Sequence, residues 1–193
     1  MIASPAQAPT FPHVVLVELP TLAPRARLVA VDPTTGAVTA LGGFASDGLA
    51  PLALAVDPYD GDLVVALDAG ANQSAIVRLR MSAASFVELP VATVPGPVAA
   101  LAVVANDVFA AVDAPNGGVY RVSRRGGAPA LALALPNLTA MHAWGPWAPQ
   151  IVLAWTGRPG TAQPDSGTGV YDFDAGTWLF GPDGFANPSG RET

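Results

Sequence analysis

Residues 52–89 read LALAVDPYDGDLVVALDAGANQSAIVRLRMSAASFVEL. Short apolar runs at 52–56, 63–67, 75–80 and 85–89 are separated by breaks that carry Gly, Pro, Asp and Asn. This pattern is typical of strands joined by tight turns. Four such strands form one antiparallel meander, and a single meander cannot bury both of its faces. The sequence therefore predicts that neighbouring copies of this unit cover it.

The same unit recurs along the chain. Third strands are predicted to begin at 28 (LVAV), 76 (IVRL), 119 (VYRV) and 170 (VYDF), with spacings of 48, 43 and 51 residues. A period in the forties with four strands per period is typical of β-propeller blades. We therefore predict an all-β fold, a β-propeller or propeller-like array of about four four-stranded antiparallel blades. An antiparallel sandwich with accidental periodicity is the alternative.

The predicted organisation is a flexible leader at 1–10 and a single propeller-like domain at 11–193, with units at about 11–45, 51–93, 97–137 and 138–183. The first unit lacks an innermost strand, because VVLVEL at 14–19 behaves as a second strand. The C-terminal segment could complete this blade, two chains could form one larger ring, or the chain could be part of a longer propeller. We expect closure of some kind, since an open array exposes strand edges and apolar faces.

Composition narrows the function classes. The 193 residues are 51% hydrophobic, carry a net charge of −6 and include no cysteine. The charge disfavours nucleic acid as a partner, and the missing thiols exclude disulfides and Cys-bound zinc. Prolines interrupt the uncharged runs at 89–106 and 126–157, so no membrane span is predicted. Both a cytoplasmic location and an exported or extracellular one without disulfides remain open.

Two stretches, LALAVDPYDGDLVVALDAGAN…IVRL and VYRVSRRGGAPALAL, resemble repeats of the NHL and gluconolactonase-like propeller families. They share an apolar strand, a D-P-x-x-G turn, a strand ending in V-x-V-A-x-D, and a V-x-R-V strand followed by a Gly turn. The resemblance implies a propeller, although such propellers usually have about six blades. The acidic and Asn metal site of the gluconolactonase-like enzymes is not matched position by position, so its chemistry is not carried over.

Loop lengths predict which end of the propeller binds ligands. The hairpin turns within pairs of strands are tight, whereas a second set of links is longer and more polar, at 42–50, 68–74, 90–97, 113–118 and 156–169. In a meander these longer links gather at one end. Because function concentrates in longer loops on a rigid scaffold, we expect the binding site on this long-loop face.

Two acidic residues recur at one position of the repeat, and each precedes an asparagine: Asp68 with Asn72, and Asp113 with Asn116. Carboxylates that converge on a ring axis could bind Ca²⁺ through oxygen ligands. Asp68 and Asp113 are therefore candidate metal ligands, and Ca²⁺ is the possible cofactor. The interpretation we favour is that each Asp forms an Asx turn within its own loop.

The segment MHAWGPWAP contains the densest aromatic group, with His142, Trp144 and Trp147. His142 could act as a base or metal ligand, and the Trp rings could stack on a ligand, but packing between blades is the interpretation we favour. Arg158 opens a Pro- and Gly-rich insertion that could recognise a partner. No Ser occupies a G-x-S-x-G elbow, which disfavours a serine hydrolase.

The leading functional hypothesis is a non-catalytic propeller module that binds a protein partner or a small ligand. The alternative is a divalent-cation-dependent hydrolase or lactonase-like propeller enzyme. A self-assembling homo-oligomer is the third possibility. The arrangement of Asp68 and Asp113 discriminates between the first two: convergence favours the enzyme, and side chains turned back onto their own loops favour the binding module.

Overall fold

The computed structural model describes residues 13–18, 26–44, 49–81, 86–114, 117–135, 137–145, 147–156 and 166–180. Within these residues the regular structure is entirely β. The strands are β1 (His13–Glu18), β2 (Ala26–Val31), β3 (Val38–Gly43), β4 (Ala50–Val56), β5 (Leu63–Gly70), β6 (Gln73–Met81), β7 (Phe86–Pro95), β8 (Val98–Val104), β9 (Asp107–Val112), β10 (Gly118–Ser123), β11 (Ala130–Ala134), β12 (Leu138–Ala143), β13 (Gln150–Trp155), β14 (Gly167–Asp172) and β15 (Thr177–Phe180).

The described strands form four antiparallel sheets in chain order. Blade 1 contains β1–β3, blade 2 contains β4–β7, blade 3 contains β8–β11 and blade 4 contains β12–β15. Each strand is hydrogen-bonded only to its neighbours in sequence. The prediction of an all-β, propeller-like array is confirmed. The described part of the chain includes no helix long and apolar enough to cross a membrane.

The core lies between blades rather than inside one shared centre. Alternate residues of a strand point to opposite faces of its sheet, so each second strand serves two interfaces. In β5, Leu63, Val65 and Leu67 pack towards blade 1. Val64 and Ala66 pack towards blade 3. The sequence reads as an uninterrupted apolar run here because both faces of the strand are buried.

The first strands of blades 2, 3 and 4 lie side by side and surround the axis of the array. β8 packs against β4 on one side and β12 on the other. β1 contacts β4 in the way that β5 contacts β8 and β9 contacts β12. β1 therefore occupies the second-strand position of blade 1, and blade 1 has no inner strand among the described residues. In that part of the chain blades 1 and 4 make at most marginal contact, and the array is an open arc.

Two predicted long loops are largely strand. Residues 68–74 contain a two-residue turn, Ala71–Asn72, in which both residues have positive φ, 47° and 59°. This is the backbone geometry of a type I′ hairpin. Residues 90–95 belong to β7, the outer edge strand of blade 2. An edge strand tolerates proline where the backbone position would point its N–H to solvent, because no hydrogen bond of the sheet is then lost. Pro90 therefore does not end β7.

Candidate functional site

An apolar cavity of about 540 Å³ lies between β4, β8 and β12. These inner strands all run towards the end of the array that carries the turns 57–62 and 105–106, which we call the hairpin face. The cavity opens there, because its lining comes from the last residues of the three strands and from Pro58 and Gly145. His142 is the one ionisable residue in a lining otherwise dominated by Leu, Val, Ala and Met side chains.

Two exposed tryptophans lie on the turn that follows β12, next in sequence to the cavity-lining residues Ala143 and Gly145. Trp144 is 61% exposed and Trp147 is 80% exposed. Each makes one ring contact: Trp147 lies edge-on to Tyr59 at 5.5 Å between centroids, and Trp144 lies 6.1 Å from Phe180. The Trp147 contact crosses from blade 4 to blade 2, so packing between blades accounts for one contact of an otherwise exposed ring. The tryptophan buried between blades is Trp155, which is 2% exposed.

The DPYDGD turn beside the cavity holds blades 2 and 3 together. Asp57 is fully buried, and both of its carboxylate oxygens accept hydrogen bonds from Nη1 of Arg124 in blade 3, at 3.0 and 2.7 Å. Asp57 also accepts a bond from the backbone N–H of Tyr59. The turn-forming role predicted from its position is thus present, with a buried ion pair added to it.

Tyr59 connects the same turn to two further blades. Its hydroxyl oxygen accepts a hydrogen bond of 2.8 Å from the backbone N–H of Ala105 in blade 3. Its ring carries the guanidinium of Arg124 at 5.2 Å from the centroid and meets Trp147 of blade 4. A cation over an aromatic face is favourable. Together these contacts fix the rim of the cavity across three blades.

A related contact joins blades 3 and 4. Arg121 pairs with Asp107 in its own blade at 2.6 Å and with Asp174 of blade 4 at 3.0 Å. Partial burial lowers the pKa of Arg121, but the hydrogen bonds to Asp107 and Asp174 outweigh this and raise it above its usual value. In blade 2, Arg78 pairs with Asp62 from the same place in the repeat. These pairs strengthen the scaffold around the cavity.

The two candidate metal ligands lie at the opposite end, the long-loop face. Oδ1 of Asp68 accepts a hydrogen bond of 2.9 Å from the N–H of Gly70, which is the Asx-turn arrangement. Asp113 is exposed, and its backbone N–H donates to the carbonyl of Pro97. Within the described ranges, no group of three or more His, Asp or Glu side chains is placed to hold a metal ion.

The predicted site residues thus separate into two groups. His142 and Trp144 lie at the hairpin face, whereas Asp68 and Asn72 lie at the long-loop face with Asp113. Asn72 is exposed in the Ala71–Asn72 turn. Asn116 and Arg158 lie outside the described residues.

Sequence reasoning missed the cavity walls formed by Leu54, Leu101 and Met141. The available signal was their shared place near the end of each inner strand, just before the first turn of the repeat.

No family model matches this sequence, and no curated protein sequence matches it either. Solved structures do. The match to the crystal structure of a nidogen/laminin complex has a TM-score of 0.63 at 10% sequence identity, and it covers 86% of this chain and 60% of that chain. A protein from Lactobacillus plantarum matches with a TM-score of 0.49 at 13% identity, covering 88% of this chain and 65% of that one.

This chain spans less than two thirds of the length of either matched chain. At 10% identity, the first match supports a propeller-type fold and carries nothing about activity or partners.

Proposed function

We propose that this chain is a non-catalytic binding module whose site is the mouth of the axial cavity at the hairpin face. The observation that carries the proposal is the apolar cavity of about 540 Å³ together with the exposed ring of Trp147, which lies against Tyr59 in the turn beside the cavity mouth. Pockets that bind ligands are mostly apolar with few polar groups. We also propose, from the resemblance of the repeats, that this chain is related to NHL or gluconolactonase-like propellers.

The chemistry of the mouth favours a protein partner that inserts one large apolar side chain. Exposed tryptophans are the residues most enriched at the energetic centres of protein interfaces. Val56, 60% exposed, extends the apolar surface at the rim. His142 supplies one polar group that can donate or accept a hydrogen bond within the cavity. The rim itself is held by the Asp57–Arg124 pair and Tyr59, so the surface is preorganised.

The long-loop face predicted from the sequence is the competing location for the same function. Two of its five expected long loops are largely strand, which leaves less irregular chain there than predicted. Convergence of Asp68 and Asp113 would have favoured the divalent-cation-dependent enzyme. Instead, the Asp68 carboxylate accepts a hydrogen bond from Gly70 in its own turn. We therefore propose the hairpin face for the binding site.

The test uses a random-peptide phage library selected on the full chain. We expect enriched peptides to share a Trp, Phe or Leu anchor, with binding weakened about tenfold or more by Trp147→Ala or Val56→Arg. Val87→Arg is the matched control, since Val87 is a similarly exposed valine (59%) on β7, away from the cavity. Peptides that bind the Val56→Arg and Trp147→Ala proteins as tightly as the original would contradict this location.

A further inference from the structure

The face of blade 4 that points away from blade 3, here the outward face, repeats the features of buried blade interfaces. In blade 2 the inner-strand residue Ala53 pairs with Ala66 of the second strand. The same pairing joins Ala100 to Ala111 in blade 3 and Ala140 to Ala154 in blade 4. Small residues at this place let the next blade approach closely.

The residue two positions earlier on the second strand also packs against the following blade. Val64 of blade 2 and Phe109 of blade 3 are both fully buried, and each packs against the following blade. The equivalent residue in blade 4 is Val152, which is only partly buried, as is Ala154. Phe180 on the same sheet is 41% exposed. Blade 4 therefore presents a blade-binding surface that no described strand covers.

Blade 1 presents the complementary surface at the other end of the arc. Leu28 packs towards blade 2, so the alternating residues Val29 and Val31 point away from it, and both are half-buried. Val38, paired with Val31 across the hairpin, is 65% exposed. Blades 2, 3 and 4 each bury the corresponding side of their third strand against the preceding blade, as Leu79, Val122 and Tyr171 show.

We propose that the outward face of blade 4 binds blade 1 of a second copy of this chain, head to tail. One chain carries both surfaces, so two copies make the contact twice and close a ring without a free blade. An exposed apolar sheet face is otherwise an association hazard.

The second copy also completes the axial cavity. β4, β8 and β12 line it, and the open side of the arc leaves the remaining wall unformed among the described residues. His142 pairs with Val152 in the register of blade 4, so it belongs to both the outward face and the cavity lining. A ligand in the assembled ring would therefore meet residues of both chains. The assembly does not depend on the proposed binding function, and each can fail alone.

The experiment is the solution mass of the full chain by light scattering across a concentration series. We expect twice the 19.5 kDa chain mass, and a single-chain mass for both Ala154→Arg on blade 4 and Val29→Arg on blade 1. Mixing these two variants should restore a pair, because each supplies the surface the other lacks. Val87→Arg, at an exposed position of β7 (59%), is the control and should keep the original mass.

Each other outcome overturns the proposal. A single-chain mass for the unsubstituted protein at high concentration would mean that no second copy covers the outward face. A Val29→Arg protein that still pairs would mean that two blade 4 surfaces meet each other. Cooperative thermal melting establishes that each variant is folded, and Phe180→Arg replaces Ala154→Arg if the latter does not fold.

Discussion

At the scale of single residues, aspartates perform three different tasks in this chain. Asp32 accepts hydrogen bonds from the N–H groups of Thr34 and Thr35 and shapes an exposed turn. Asp57 is buried and paired with Arg124, whereas Asp68 closes its own hairpin. The sequence pattern D-P-x-x-G predicts the first task and is silent about the second, because the Arg partner lies 67 residues away along the chain.

The buried pair gives a stability prediction. Arg124→Ala leaves the Asp57 carboxylate buried without its charge partner, and breaking such a pair costs about 3 kcal/mol of unfolding free energy. Arg125→Ala removes an adjacent, exposed arginine and should change stability by less than about 0.5 kcal/mol. Urea unfolding at pH 7 measures both. Equal effects of the two substitutions would show that the Asp57–Arg124 pair contributes no more than a surface charge.

Asp172 gives a pH prediction. The N–H of Ala175 and the side-chain amide of Gln150, with the N–H of Asp174, hold its pKa below the usual value, against a small opposing effect of burial. A folded pKa below the unfolded value of about 3.9 means that its stabilisation is present at neutral pH and is lost as pH falls through the folded pKa. Asp172→Asn should therefore lower stability at pH 7, with the difference shrinking as the solution is acidified.

Denaturant midpoints of Asp172→Asn and the original protein, measured between pH 7 and pH 2, test this. A difference that stays constant through the acid range would contradict the assignment.

Asp68 gives a metal prediction. Because its Oδ1 already accepts the N–H of Gly70, we expect millimolar Ca²⁺, or its removal with EDTA, to leave the melting temperature unchanged. Asp68→Asn keeps the accepting oxygen and should melt close to the original protein, whereas Asp68→Ala should melt lower. A Ca²⁺-dependent rise in melting temperature that Asp68→Asn abolishes would support the cation-dependent alternative instead.

At the scale of elements, close packing of outer strands limits which residues a blade accepts. A Cβ on Gly118 at the start of β10 would clash with the carbonyl oxygen of Leu133 and come within 3.1 Å of the Cα of Ala134. Both belong to the end of blade 3, where β10 meets β11. Side chains cannot enter here without parting the two strands.

Gly118→Ala should therefore destabilise the protein by about 1–3 kcal/mol, the usual cost of overpacking. Gly145→Ala is the matched control, because a Cβ there meets nothing within 4 Å and its φ is not positive. Chemical denaturation of both variants is the measurement. A Gly118→Ala protein as stable as the control would mean that β11 shifts freely to make room.

The strands were largely predictable, and the reason is local. In β4, β5 and β6 the apolar runs and their bounding turns appear in the sequence itself, so the predicted and observed strands differ by only a few terminal residues. The β7 edge was missed because its tolerance of Pro90 depends on being outermost in the sheet. The cavity was missed because it forms from three strands in separate repeats, and no local pattern encodes their meeting.

At the scale of the whole molecule, the buried clusters and two of the ion pairs of the described residues lie between adjacent blades. The Asp57–Arg124 pair joins blades 2 and 3, and Arg121–Asp174 joins blades 3 and 4. Stability in such an array is a sum of blade terms and nearest-neighbour interface terms. A substitution at one interface should therefore weaken the two blades that share it more than a distant blade.

Blade 1, in which the described residues form three strands and no inner one, has a consequence for the order of unfolding. Blade 1 and blade 4 each have a single neighbouring blade, but blade 1 has one fewer described strand and so loses the fewest contacts when it opens. Local unfolding should therefore begin there and proceed inwards. In the Ala154→Arg chain, the amides of β2 should exchange with deuterium before those of β5 and β9. Uniform exchange across all four blades would indicate one cooperative unit. An arc whose first blade has no inner strand among the described residues is thus expected to unfold from that end first.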